Sequence, residues 1–260
     1  MCFYKSFPIT FIKFRNLFKD NHEINLSLQK RLLFYMIQNL EKSVSECLEN
    51  FYRKRLAKIN ELKFNVFLKR KNPYLLRALG TEDASQLVEY IMRMYLDASD
   101  ETIFGNEFFE PIAKEFSGGT VSPSESVDIA IENQTKYTAY AIKSGPHWGN
   151  VNQHKKQNQD FIALRSRLLK THKQFDAVIG HGYGTINNDP ENKIYRNRSG
   201  QRFWEEITGD KDFHVKLIIA MKTASIKHKE EYKKKWQQAK NKFTLEFSQG
   251  FCDLNTGTID

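Results

Sequence analysis

Asp128 and Lys143 are the two residues of this 260-residue chain whose types and placement invite chemistry. They bound the run Asp128-Ile-Ala-Ile-Glu-Asn-Gln-Thr-Lys-Tyr-Thr-Ala-Tyr-Ala-Ile-Lys143, two apolar segments joined by Asn133-Gln134-Thr135. The pattern predicts strands over 127–132 and 137–143 with a short hairpin connection. Side chains alternate along a strand. Asp128, Ala130 and Glu132 are therefore expected on one face of the first strand, with Val127, Ile129 and Ile131 toward a core. Tyr137, Ala139, Ala141 and Lys143 share a face of the second, and hairpin pairing then brings Lys143 and position 141 beside Asp128. A carboxylate that holds a divalent metal next to an amine suits phosphodiester hydrolysis. There a metal stabilises developing charge and lowers the pKa of water.

The elements that must position this pair follow from periodicity. Leu26, Leu28, Leu32, Leu33, Met36, Ile37 and Leu40, continued by Val44, Cys47, Leu48 and Phe51, recur at helical spacing and predict helices over 23–70. Lys71-Asn72-Pro73 closes that section, because proline disfavours a helical residue before it. Helices are expected again over 85–96 and 101–116, then a break at Ser117-Gly118-Gly119. Beyond the hairpin come a loop over 144–150, a polar helix over 151–170, and a strand over 175–181 ending at Gly182-Tyr183-Gly184. A fourth strand over 193–196, a helix from 201 and a lysine-rich helical tail over 213–247 complete the chain. The expected class is α/β: a small mixed sheet flanked by helices. Two regions follow: a helical one over 1–97, serving dimerisation, embracing DNA or acting as a lid, and a catalytic core over 98–260.

The hairpin resembles the active-site hairpin of type II restriction endonucleases of the PD-(D/E)-x-K superfamily. Asp128 matches the first acid and Lys143 the lysine, while Val127 replaces the usual proline. Gly105-Asn-Glu-Phe-Phe-Glu110-Pro-Ile-Ala resembles the superfamily helix whose glutamate approaches the metal, with Glu110 the better match and Glu107 the second. Lys143-Ser-Gly-Pro-His-Trp-Gly-Asn150 and Gly200-Gln-Arg-Phe-Trp204-Glu-Glu-Ile-Thr-Gly209-Asp resemble further segments of such enzymes, so the likeness spans about 100–215. It implies a restriction-endonuclease-like fold in which Asp128, Glu110 and the backbone carbonyl of Ile142 bind Mg²⁺ and Lys143 polarises the attacking water. It also implies a homodimer acting on double-stranded DNA, with a protecting DNA methyltransferase encoded nearby.

One position departs from the pattern. Ala141 stands where a second acid is expected. Either an acid was deliberately replaced, giving a cleavage-dead protein that still holds DNA, or the acid comes from elsewhere, with Glu132 and Asp160 as candidates. A third alternative is a relative that only binds DNA.

Charge fits a polyanion partner. Residues 1–80 carry 16 Lys/Arg against 6 Asp/Glu, residues 81–150 carry 4 against 12, and residues 151–260 carry 20 against 13. An acidic centre between basic flanks can hold metal ions in the centre and phosphates at the flanks. Asn150, Gln153, Lys155, Lys156, Gln157 and Asn158 crowd the loop and the start of the following helix, where amides read adenine edges and lysines meet phosphate or guanine. Arg196 and Arg198 are further candidates for DNA contact. Trp148 and Trp204 read as packing residues. His147, His154 and His181 lack metal-ligand spacing, and Gly180-His-Gly-Tyr-Gly184 lacks a phosphate-loop ending. Cys2, Cys47 and Cys252 form no CxxC or Cys/His cluster, so structural zinc and a disulfide framework are not expected. No apolar run reaches the ~20 residues of a membrane helix, and the start lacks the pattern of a signal peptide. A cytoplasmic, prokaryotic setting is expected.

Overall fold

A computed structural model describes residues 26–260 apart from 79, 81, 82, 123, 190–193, 257 and 260. Cys2 and the rest of 1–25 lie outside the described residues. Helix α1 (Leu26–Glu61) is followed by the short α2 (Phe64–Leu68) and α3 (Pro73–Ala78), then by α4 (Ala84–Phe104). Met36, Leu40, Val44, Cys47 and Leu48 of the helical stripe are buried, whereas Ile37 is exposed. The break expected near residue 100 is absent. α4 passes through a π-helical turn (Gly105–Phe109) into α5 (Glu110–Phe116). Pro111 explains that turn, because it has no N–H to continue the ladder and a wider turn accommodates its ring.

The strands are β1 (Thr120–Val121), β2 (Ile129–Glu132), β3 (Lys136–Lys143), β4 (Gln174–His181) and β5 (Tyr195–Ser199), in that spatial order. β1, β2 and β3 pair antiparallel, and β3, β4 and β5 parallel, so the sheet is mixed. Asn133 closes the hairpin, its Oδ1 accepting from the N–H groups of Thr135 and Lys136. β3 is the middle strand and is buried from Tyr137 to Ile142. A parallel pair needs a crossover, and α6 (Val151–Leu168) with the 3-10 turn Leu169–Thr171 supplies it between β3 and β4. Asn150 starts α6 with a capping box: its side chain accepts from Asn152 and Gln153 N–H, and Gln153 reaches back to the Asn150 N–H. α7 (Gln201–Thr208) and α8 (Phe213–Phe251) follow β5.

Two details of the strands differ from expectation. β2 begins at Ile129 rather than 127. Ser126 adopts a left-handed backbone (φ 58), which bends the chain and sends Val127 into the same apolar cluster as Ala130. Strict alternation therefore does not extend back through Asp128. β5 spans Tyr195–Ser199, further along than the expected 193–196, because it pairs residue for residue with Ala177–His181 of β4; residue 193 lies outside the described residues.

α6 covers one face of the sheet, where Phe161 and Leu164 join Ala139, Ala141, Ala177 and Ile179 in a core. α7 covers the other. A Cβ at Gly180 would sit 2.2 Å from the Phe203 ring, so only glycine lets α7 approach β4 there. The chain folds into two compact units: 1–47 with 104–223, and 48–103 with 224–260. That division is discontinuous and does not follow a cut at residue 97. The sheet belongs to the first unit. The second is helical, with a core of Phe64, Leu87, Val88, Ile91, Met92 and Phe243 among others.

Candidate active site

The hairpin brings its two chemical residues to one corner. Asp128 precedes β2, where its N–H donates to the Tyr140 carbonyl (2.9 Å) and its Oδ2 accepts from the Ile142 N–H (2.7 Å). The carboxylate is thus pinned to the backbone between positions 141 and 143. Burial raises the Asp128 pKa above the usual carboxylate range; the Ile142 N–H opposes this, Glu110 adds repulsion, and Lys143 and Lys114 relieve it. Asp128, Glu110, Lys143 and Lys114 therefore share one electrostatic environment.

Glu110, the first residue of α5, is ion-paired with Lys114 one turn on, both partly exposed. Glu107 lies elsewhere. Burial first, then Glu115, Glu46 and Glu107, pushes the Cys47 thiol up to about 12. That thiol is free and inert, as is expected of a buried cysteine far from cationic groups. Of the two glutamates, only Glu110 is among the groups that act on the Asp128 carboxyl.

Lys143 ends β3 half-buried, with Nζ 4.9 Å from the centroid of the Trp148 ring. His154 packs on the same indole, ring centroids 4.2 Å apart. Trp148 packs against the apolar core, as expected, and in addition holds the amine through a cation–π contact. Trp204 does pack: it is buried and donates its indole N–H to the Gly182 carbonyl (2.9 Å). His181 is buried opposite Lys143, with Nδ1 3.0 Å from the Gly145 carbonyl and Nε2 3.3 Å from Asn197 Oδ1. Burial lowers its pKa, partly offset by those two bonds. The glycines around it serve packing: a Cβ at Gly182 would strike the Phe109 ring at 2.6 Å.

Ala141 is fully buried, with its methyl in the core under Phe161 and Leu164. Of the two residues considered as alternative acids, Glu132 ends β2, paired with Lys173. It stands four residues from Asp128, roughly 13 Å along a strand. Asp160 is tied to the corner through Ser126: it accepts a hydrogen bond from Ser126 Oγ and pairs with Lys156. Gln157, buried one turn earlier, donates from Nε2 to the Ser126 carbonyl (2.8 Å). Gln157 and Asp160 together hold Ser126 in its left-handed conformation, and that bend aims Asp128 at Ile142.

The donors present at the corner are carboxylate and carbonyl oxygens, which suit a hard divalent cation. Among the described residues no group of three or more His, Cys, Asp or Glu side chains is placed to hold a metal. The set fits Mg²⁺ in kind and is one carboxylate short in number.

The other named residues divide. Gln153 and Lys155 are exposed on α6, and Asn150 caps it. Lys156 is exposed and pairs with Glu125 and Asp160. Arg196 instead lies in a half-buried network, donating to both oxygens of Asp176 and both of Glu206. Arg198 donates to Glu206, to Asp189 and to the Asn197 carbonyl. Tyr140 Oη donates to Glu206 (2.9 Å), and Lys136 pairs with Asp176. Both arginines thus spend most of their donors on partners within the protein.

Sequence reasoning does not single out Lys114, the Lys143–Trp148 contact or the Arg196 network. Glu110 and Lys114 do have the i, i+4 spacing of a helical ion pair. Nothing local links Lys143 to Trp148 or Ser126 to Gln157.

Among the described residues no helix is long and apolar enough to cross a membrane. No curated protein matches the chain. A family model, the type II restriction endonuclease EcoO109I, matches residues 38–231, which includes the sheet, the corner and the helices around them. The resemblance found in the hairpin and its flanking segments thus extends over most of the molecule, and the chain belongs to the EcoO109I family of type II restriction endonucleases.

Proposed function

We propose that this protein binds double-stranded DNA as a homodimer and hydrolyses phosphodiester bonds at a specific site with Mg²⁺, on a PD-(D/E)-x-K active site. The observation that supports this reading is the Asp128 carboxylate, partly buried and held 2.7 Å from the Ile142 N–H, one residue from Lys143, in a chain of this family. Asp128, Glu110 and the Ile142 carbonyl would hold the ion, which when bound supplies charge stabilisation at the phosphate and acidifies water. Lys143, steadied by Trp148, orients the attacking water through its ammonium. Asn150, Gln153, Lys155 and Lys156 line the start of α6 and supply groove and phosphate contacts. Two equivalent sites are needed to cut both strands of a palindrome, which accounts for the dimer. A DNA methyltransferase encoded alongside would protect the host, and a prokaryotic cytoplasm is the setting for such a pair.

A second reading is favoured by one specific observation. The Ala141 methyl lies in an apolar core, and the corner lacks a second strand acid. On that reading the chain binds DNA and does not cut.

The two are separated by treating plasmid and genomic DNA with the chain and with Ala141→Glu, in Mg²⁺ and in EDTA, while binding is followed in Ca²⁺. Restoring the acid is expected to raise Mg²⁺-dependent cutting by on the order of 10³-fold, the size of one preorganised electrostatic stabiliser. It should also lower the melting temperature without metal, because a carboxylate enters the core under Phe161, and Mg²⁺ should recover it. No cutting by either protein, with tight DNA binding retained, would leave the second reading. No DNA binding at all would remove both.

A further inference from the structure

From Leu62 to Thr81 the chain has no acidic residue, yet it carries Lys63, Lys69, Arg70, Lys71 and Arg77. This stretch belongs to the second unit, which contains none of the residues assigned above. Many of the cations elsewhere in that unit are paired with a carboxylate. Arg55 has Asp100, Arg93 and Lys240 have Glu89, Lys233 has Glu230 and Lys235 has Glu231. Among the described residues Lys69 and Arg70 have no carboxylate partner, and both are exposed.

These charges project from an ordered turn. The Lys69 N–H donates to Asn65 O (3.2 Å) and the Arg70 N–H to Phe67 O (3.1 Å). Lys71 Nζ sits 4.2 Å from the Phe67 ring centroid. Asn72 Oδ1 accepts from the Tyr74 and Leu75 N–H groups at 3.0 and 3.3 Å, fixing the start of α3. Tyr74 follows with 84 % of its surface exposed, and Leu75 with 53 %. Unanswered cations beside an exposed phenol, on a backbone that is already organised, lower the entropic cost of gripping a polyanion.

We infer that the turn from Lys69 to Tyr74 is a phosphate-gripping surface for the backbone of double-stranded DNA. It rests on the DNA-binding reading above only in the choice of polyanion. Duplex DNA is favoured over an acidic protein because the surface is a row of cations with a hydrogen-bonding phenol, suited to evenly spaced phosphates. Phosphate contacts supply affinity and register and carry no sequence information. This surface therefore adds salt-dependent affinity and leaves sequence preference to residues elsewhere.

The test is the salt dependence of binding to a fluorescein-labelled duplex in Ca²⁺, measured for the full chain and variants. Lys69→Gln/Arg70→Gln should flatten the slope of log affinity against log salt by about 2, near 0.9 per phosphate lost. It should also weaken binding roughly ten-fold at moderate salt. Tyr74→Ala should weaken binding and leave the slope unchanged. Lys233→Gln/Lys235→Gln removes the same net charge where each lysine already has a glutamate, and should change the slope little. An unchanged slope in the first variant overturns the surface, as does an equal change in the helix control, which would indicate bulk charge. Binding of an acidic peptide lost in parallel, with duplex binding intact, reassigns the turn to a protein partner. If the unmodified chain binds no duplex, the surface falls together with the nuclease reading, whereas duplex binding with an unaltered slope removes the surface alone.

Discussion

Two clusters of charge in the first unit treat burial in opposite ways. Around Asp128, burial raises the carboxyl pKa, and what opposes it is one backbone N–H and the field of two lysines, with Glu110 adding repulsion. Around Arg196, burial pushes Asp176 and Glu206 upward just as it does Asp128. There the hydrogen bonds from Arg196, with Lys136 on Asp176 and Tyr140 and Arg198 on Glu206, leave both carboxyls below their usual range. The difference lies in how many donors each acid receives. The Arg196 cluster is complete within the protein, joining β3, β4, β5 and α7. The Asp128 cluster is not, and on the function proposed above a bound cation would complete it; perturbed acids are common at functional sites. One region holds the sheet together, and the other stores unmet electrostatic demand for use.

The linkage signs are opposite as well. Asp128, with a raised folded pKa, favours the folded state more as pH falls toward the unfolded value, and that contribution is lost as pH rises through the folded pKa. Asp176 and Glu206, with depressed folded pKa values, contribute stability above the unfolded carboxylate range and lose it as pH falls through their folded pKa values.

The largest effect expected from breaking this contrast is at Arg196. Arg196→Leu strands two half-buried carboxylates and should cost about 3 kcal/mol, the low end for opening a buried ion pair because the site is partly solvated. Urea unfolding at neutral pH measures it, and the loss should shrink in acid as Asp176 and Glu206 protonate. A variant as stable as the parent would mean that the network is decorative. Next is Asp128→Asn. It retains an acceptor for the Ile142 N–H and removes a buried charge, so neutral-pH stability should rise by about 1 kcal/mol, or roughly 2–4 °C in Tm. The gain should close as pH falls, while Ca²⁺-dependent DNA binding is lost. A drop in Tm at neutral pH would contradict the claim that the corner is under-served. The smallest is Trp148→Leu. Losing a cation–π contact of about 0.5–1 kcal/mol should make Lys143 roughly two- to five-fold more reactive toward an amine-acylating reagent, read by mass spectrometry, with Trp148→Phe between. Equal reactivity in all three would reduce Trp148 to packing.

How much of this is legible in the chain alone varies by residue. The hairpin is, because Tyr, Ile and Ala alternate over 137–142 and Asn133 is a turn former. The two-residue β1 is not: Thr120-Val121 is too short to show a period, and it is a strand only because the edge of β2 needs pairing. Arg196 and Arg198 resemble DNA contacts in sequence because arginine near glycine is ambiguous there. Arg196's partner Asp176 lies on β4 and the Glu206 that both share lies on α7, and no spacing rule connects those elements. The flanking segment favours Glu110 over Glu107, and the two fall on different elements: Glu107 lies in the π-helical turn, where its charge acts on Cys47, and Glu110 opens α5, where its charge acts on Asp128.

The sequence by itself determined the order of the longer helices and of β2 to β5, and it alone points to the Asp128–Lys143 pair and the gap at Ala141, because those depend on residue type and local period. The tertiary structure alone decided which charges are neutralised and which are left waiting. Burial and long-range partners set the cost of a charge, and both arise only when β3, β4, β5, α5 and α7 come together.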